Sequence, residues 1–196
     1  MEYPGSTIEY TGRSGREFLD GIFTGTTGLV MQQVTEISGL ATPAVQNWVS
    51  RGFIAHPVNR RYDKNALARI LIINSVRGAL SLPNIKKLLT YVNGSPESRL
   101  DDIIPESELY SYVCDVIFSD DFKSSSTEKL IDDVLADYNE LLPGAKARLK
   151  TALTVIIEII LAEEALSAAT ETIESLPNSN VLGETFEDQT DAADNE

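Results

Sequence analysis

The chain has 196 residues but only one cysteine, Cys114, and one histidine, His56. A single cysteine excludes an intramolecular disulfide and the zinc sites that use several cysteines. A single histidine excludes a cluster of histidine ligands. Cys114 lies on the apolar stripe of a predicted helix, which favours a buried, inert thiol over a redox sensor. We find no catalytic constellation, so the sequence predicts neither an enzyme nor a bound cofactor.

The sequence also lacks an apolar run long enough to cross a bilayer. The longest run, residues 155–162, is interrupted by Glu158, whereas a spanning helix needs about 20 apolar residues. The first residues do not show the basic and apolar segments of a signal sequence. We therefore expect a cytoplasmic protein with no membrane partner.

Basic residues are scarce, yet they are concentrated in one part of the chain. The net charge is −14, from 16 basic and 30 acidic residues. Residues 40–95 contain eight basic residues and one acid, a net charge of +7, so the rest of the chain carries −21. A basic segment within an acidic protein indicates a module that contacts nucleic acid.

The stretch at residues 40–62, LATPAVQNWVSRGFIAHPVNRRY, carries most of the functional information. Thr42 is a good helix N-cap, followed by proline at the first helical position. Val45, Trp48 and Val49 recur at helical spacing and predict one apolar face. Gly52 then ends the helix in a left-handed conformation. The basic segment at residues 59–62 is suited to a hairpin. This order of helix, turn, polar helix and basic hairpin is typical of a winged helix-turn-helix.

The flanking residues predict a mainly α fold with four segments. Residues 1–28 form an N-terminal arm that packs through Phe18, Leu19, Ile22 and Phe23, or is mobile. Residues 29–94 form the winged helix-turn-helix domain, and residues 95–177 form a helical bundle or dimerisation region. Within it, one helix starts at Ser126 or Thr127 and continues to Leu142, and another starts at Ala145 and ends near Leu176. Residues 178–196 carry six acids and no base, which predicts a disordered tail.

Two resemblances follow from particular motifs. The turn at Gly39-Leu40, the segment Arg51-Gly52-Phe53-Ile54 and the hairpin Arg60-Arg61-Tyr62 make residues 40–89 similar to the DNA-binding domain of MerR regulators. The segments GTTGLVMQQVTEISGL, VQNWVSRGF, NRRY and LARILIIN resemble, more closely, the bacterial family described as domain of unknown function 1836. That resemblance covers residues 17 to about 115 and implies a MerR-like fold. It implies no activity, because none is established for the family.

The predicted DNA-binding residues lie on the second helix and the hairpin. Gln46 and Asn47 have side chains that pair with adenine edges in the major groove; the alternative is a solvated helix face. Arg51, Arg60, Arg61 and Lys64 are expected to bind phosphates, unless they only keep a loop soluble. Thr42 completes the set together with Tyr62, which is expected to pack the hairpin against the domain. Trp48 is expected in the core.

The sequence thus predicts a DNA-binding transcriptional regulator that dimerises through its C-terminal helices. A dimer binds two half-sites and so compensates for one weakly basic module. The alternative is a non-enzymatic adaptor that reuses the fold and binds a basic partner through its acidic C-terminal half. Whether a small-molecule effector exists is left open.

Overall fold

The computed structural model describes residues 1–176 except 99, 101 and 123. In this part of the chain the structure is mainly helical, as predicted, and β structure is limited to three isolated antiparallel bridges. None of the described helices is long and apolar enough to span a membrane. The helices are α1 Gly15–Ile22, α2 Met31–Ser38, α3 Thr42–Ser50, α4 Lys64–Val76, α5 Leu82–Asn93, α6 Glu106–Ile117, α7 Thr127–Val134 and α8 Ala145–Glu174.

The central helix is α4, which is buried on nearly all sides. Ile70, Leu71, Ile72 and Ile73 are each no more than 1% exposed. Four consecutive apolar residues cover the whole circumference of a helix, because each residue advances by about 100°. α4 therefore packs against both α2 and α6.

A buried ion pair lies at the side of α4 that faces α6. The Arg69 guanidinium is 3.1 Å from the Glu106 carboxylate, and its Nε donates to the Phe53 carbonyl oxygen at 2.7 Å. Burial lowers the pKa of Arg69, while the Glu106 charge acts in the opposite direction. The pair therefore links α6 to the backbone just after α3.

The N-terminal residues pack against the helices. The Tyr3 ring stacks on Phe18 with 3.9 Å between ring centroids, and the Tyr110 hydroxyl donates to the Pro4 carbonyl oxygen at 2.9 Å. Gly5 approaches α4 so closely that a Cβ at this position would lie 2.1 Å from the Leu71 carbonyl oxygen. The predicted packing of the arm is confirmed at Phe18 and Leu19, which are buried, while Ile22 and Phe23 are half-buried.

Cys114 is fully buried on α6, as predicted. Burial raises the pKa of its thiol. A Cβ added to Gly15 would lie 2.7 Å from the Cys114 Cβ, so α1 and α6 are in close contact at this thiol. This environment is that of a packing residue rather than of a reactive cysteine.

The prediction for α7 was wrong at its C-terminal end. The Ser126 side chain caps the helix by accepting from the Lys129 amide, as expected, but the helix ends at Val134 instead of continuing to Leu142. Asp132 and Asp133 occupy its last turn, which contains no basic residue. Negative charge is unfavourable at a helix C-terminus, where the helix dipole is also negative.

The chain divides into two units, residues 1–163 and residues 164–196. The buried apolar side chains of the first unit form one continuous core from Tyr3 to Ile160. In the second unit, Leu166, Ile173 and Leu176 are each more than 60% exposed. The predicted disordered tail at residues 178–196 lies outside the described residues.

Candidate nucleic-acid interface

Helices α2 and α3 are joined by a three-residue turn. Gly39, with φ of +68°, ends α2, and the buried side chain of Leu40 holds the turn against the core. α3 begins one residue earlier than expected: Ala41 is the N-cap, and Thr42 is the first helical residue and makes no capping hydrogen bond. The predicted capping role of Thr42 was therefore wrong, although Pro43 still lies in the first turn, where its missing N–H is harmless.

Helix α3 has one buried face and one exposed face. Val45, Trp48 and Val49 are each less than 9% exposed, so the expected core position of Trp48 is confirmed. Gln46, Asn47 and Ser50 are exposed. The buried residues fix the rotation of the helix, and this rotation points the two amide side chains to solvent.

The end of α3 carries two cations around one aromatic ring. Gly52 adopts the predicted left-handed conformation with φ of +66°, and the side chain of Phe53 is buried in the core. The Arg51 guanidinium lies 5.1 Å from the centroid of the Phe53 ring, and the Lys86 ammonium lies 5.5 Å from it. Lys86 was not among the predicted site residues. Lys86 directly follows Ile85 on α5. Because Ile85 is apolar and faces the core, this position in the sequence could have indicated that Lys86 faces solvent.

The basic segment after α3 is a tight hairpin. The Arg61 amide donates to the Val58 carbonyl oxygen at 2.9 Å, and the two residues between them, Asn59 and Arg60, have φ of +50° and +62°. Positive φ at both central residues defines a type I′ turn, which is common in two-residue hairpins. The expected hairpin is therefore present, and Arg60 is at its tip.

The hairpin is attached to the core at its base. Leu29 and Tyr62 exchange two backbone hydrogen bonds of 2.8 Å each. Tyr62 is only 3% exposed, and burial raises the pKa of its hydroxyl. It supports the hairpin, as expected, but offers almost no surface to a ligand.

Two of the predicted phosphate contacts already have partners in the protein. Lys64 forms an ion pair with Asp20, and the Arg61 guanidinium donates to the Gly28 carbonyl oxygen at 2.8 Å. Arg61 remains exposed, whereas Lys64 is half-buried. The expectation for Lys64 did not anticipate Asp20, because Asp20 lies 44 residues earlier in the chain.

The exposed face of α3 and the hairpin line one concave surface. A cavity of about 410 Å³ separates them, with Gln46 on one side and Arg60 on the other. Val49 and Tyr62 also line it. The structure thus brings an amide side chain and a guanidinium to the same surface from positions 14 residues apart in the chain.

The cations of residues 40–95 are unevenly exposed. Arg69 is buried and Lys64 is paired, while the remaining six are exposed.

Near the base of the hairpin, His56 contacts Glu97 through both its backbone amide, at 3.0 Å, and its ring, at 2.8 Å. The His56 side-chain hydrogen bond is the main cause of the lowered pKa of Glu97. This carboxylate is therefore held by His56, and it lines the same cavity as Arg61.

Comparison with known families gives one match. Residues 19–113 match the model of the family described as "Domain of unknown function (DUF1836)", which confirms the resemblance to that family over just under half of the chain. The matched segment runs from α1 to α6 and includes α3 and the hairpin. Comparison with curated proteins and with solved structures gives no match.

Proposed function

We propose that the chain is a DNA-binding transcriptional regulator with a MerR-like winged helix-turn-helix. In this proposal α2, the turn at residues 39–41 and α3 form the helix-turn-helix, and the hairpin at residues 58–61 is the wing. α3 is the recognition helix and enters the major groove. The cytoplasmic location expected from the sequence is part of the same proposal.

The exposed residues divide into two roles. Gln46 and Asn47 read base edges, because an amide side chain can pair with adenine N6 and N7. Arg51 and Lys86, at the end of α3, contact phosphates and fix the orientation of the helix. Arg60, at the tip of the hairpin, contacts the backbone beside the groove or enters the adjacent minor groove.

The observation that carries this proposal is the common surface of Gln46 and Arg60. A solvated helix face and a solvated loop need not be adjacent, yet these two residues line the same cavity. A reading residue and a phosphate-binding residue must reach one duplex together, so adjacency is required for DNA binding. The concentration of positive charge in residues 40–95 supports the same conclusion.

We also propose a homodimer through the C-terminal helices. Leu166, Ala169 and Ile173 are exposed on the part of α8 that lies in the second unit and follow one another at intervals of three and four residues. This spacing is that of an apolar seam between paired helices. The seam is distinct from the buried stripe of Leu149, Leu153, Ile156 and Ile160, which belongs to the core of the first unit.

The proposal is tested by selecting ligands from fragmented genomic DNA and measuring their affinity at several salt concentrations. We expect Arg60→Ala to weaken binding to all sequences and to reduce the slope of log K against log salt by about one. We expect Gln46→Ala to relax sequence preference instead. Arg77→Ala is the matched control, because Arg77 is an exposed cation about 20 Å along α4 from Lys64.

Equal salt slopes for the parent, Arg60→Ala and Arg77→Ala would contradict the proposal. The adaptor alternative makes a different prediction: the purified chain carries no nucleic acid for heparin to displace. Both measurements use the full chain.

A further inference from the structure

One further cavity among the described residues is not part of the proposed DNA interface. It has a volume of about 690 Å³ and lies between α5 and the first part of α8. Leu80, Leu88, Tyr91 and Val155 give it largely apolar walls. Its volume and lining are those of small-molecule sites, which are mostly apolar with a few polar groups.

Both charged side chains in the lining are cations, Lys87 and Arg148. Arg148 is held in place: its Nε donates to the Tyr91 carbonyl oxygen at 2.9 Å, and its guanidinium lies 5.0 Å from the Tyr91 ring centroid. Its Nη1 and the Lys87 ammonium make no hydrogen bond or ion pair within the described part of the chain. A cavity with two cations and no acid stands out in a chain with 30 acids and 16 bases.

We propose that this cavity binds an organic anion with an apolar body and a carboxylate head. The apolar walls would bury the body, which removes hydrocarbon from water. Lys87 and the free side of Arg148 would bind the carboxylate through charge-assisted hydrogen bonds. A neutral ligand would leave both cations without an opposite charge. A small inorganic anion would leave the apolar walls exposed to water.

Helix α5 connects this cavity to the end of the proposed recognition helix. Lys87 lines the cavity, and the adjacent Lys86 lies over the Phe53 ring, which also contacts Arg51. A ligand that shifts α5 would therefore change the position of Lys86 at the end of α3. Ligand binding then alters DNA affinity; this consequence rests on the proposed function, whereas the ligand site does not.

The test is calorimetric titration of the full chain with dodecanoate below its micellar concentration. We expect saturable binding with one ligand per chain, and no saturable binding of dodecyltrimethylammonium, which has the same tail and the opposite charge. Acetate, which has the head alone, should not bind. Lys87→Gln should weaken dodecanoate binding about tenfold, and the exposed Lys129→Gln on α7 should leave it unchanged.

Lys87 is exposed and has no partner in the described part of the chain, so its substitution should not disturb folding, which a thermal melt of the variant verifies. Equal affinity for the two dodecyl ligands, or an unchanged affinity of Lys87→Gln, would overturn the site. Release of a bound second copy of the chain on titration would also overturn it, because the cavity would then be an interface.

A second titration measures DNA affinity with and without dodecanoate. A change in DNA affinity that Lys87→Gln abolishes supports the connection through α5. Dodecanoate binding without any change in DNA affinity overturns that connection but leaves the site. Dodecanoate binding by a chain that never binds DNA supports the site and overturns the proposed function.

Discussion

Helices α3 and α4 lie in the same part of the chain but have different surroundings. α4 is buried on nearly all sides and contains the buried Arg69. α3 is buried on one face only and presents Gln46 and Asn47 to solvent. Both helices have cations nearby, but Arg69 of α4 is bound to Glu106 inside the protein, while Arg51 at the end of α3 lies at the surface.

The difference shows that a basic residue in this segment is not by itself evidence of a DNA contact. Arg69 contributes to the positive charge of residues 40–95, yet it stabilises the fold by holding the Phe53 carbonyl. Arg51 and Arg60 contribute to the same total and are exposed. The substitutions below test this division between α4, which supports the fold, and α3, the proposed recognition helix.

The largest effect is expected from Arg69→Ala. Removal of the guanidinium leaves the Glu106 carboxylate buried without its partner, which costs about 3–5 kcal/mol of unfolding free energy. Gln46→Ala, at the exposed face of α3, should change stability by no more than about 0.5 kcal/mol. Urea unfolding followed by the fluorescence of the buried Trp48 measures both.

The double substitution Arg69→Met with Glu106→Leu is the control for the Arg69 prediction. It removes both charges at once, so it should recover most of the stability that Arg69→Ala loses. If Arg69→Ala were as stable as the parent protein, the ion pair would not support α4.

The next effect concerns the contact between the N-terminal arm and α4. Gly5→Ala places a Cβ against the Leu71 carbonyl oxygen at a residue with φ of +69°, and we expect a loss of about 2–3 kcal/mol. Gly12→Ala is the matched control: its φ is +80°, but no atom lies within 4 Å of the added Cβ. It should lose only about 1 kcal/mol, from the backbone. Equal losses of unfolding free energy in the two variants would show that Gly5 is not in close contact with α4.

A smaller effect of opposite sign is expected at the hairpin tip. Arg60 has φ of +62°, a conformation that glycine adopts without strain, and Asn-Gly is the preferred pair for this turn. Arg60→Gly should therefore raise the unfolding free energy by about 1 kcal/mol and weaken DNA binding. A thermal melt and a DNA titration on one sample measure the two changes. If Arg60→Gly kept full DNA affinity, Arg60 would not be a contact residue.

The smallest effect is expected from Glu97→Gln, which breaks the contact with His56. Because the pKa of Glu97 is lowered in the folded state, its charged form stabilises the fold. This stabilisation is present above the ordinary value of 4.5 and is lost as the pH falls through the lowered pKa. Both side chains are more than half exposed, so the loss near pH 7 should be below about 1 kcal/mol. Unfolding curves of variant and parent should converge in acid; a constant difference would assign the effect to packing.

Local patterns predict the bounds of α3 to within about one residue. The apolar spacing of Val45, Trp48 and Val49 determined which face of α3 is buried, and Asn59-Arg60 marked the hairpin. These features depend on neighbours in the chain. The same patterns also placed Gln46 and Arg60 in the candidate site.

Other features depend on distant residues, which spacing does not reveal. The pairing of Lys64 with Asp20 and the contact of Lys86 with Phe53 arise only when separate helices pack. The early end of α7 depends on charge at the helix terminus, which the apolar pattern does not record. For this reason Lys64 was assigned to the site and Lys86 was missed.

The contacts of the N-terminal arm have a consequence for synthesis on the ribosome. The Tyr110 hydroxyl binds the carbonyl oxygen of Pro4, 106 residues earlier, and the Gly15 amide donates to Asp115, 100 residues later. The arm is translated before α6 and must therefore wait for α6 to emerge before it finds these partners, and contacts of such long range slow folding. A fragment that stops after α5 would leave Phe18 without Tyr110 and Tyr3 without Phe118, and we expect the arm to remain unpacked in such a fragment.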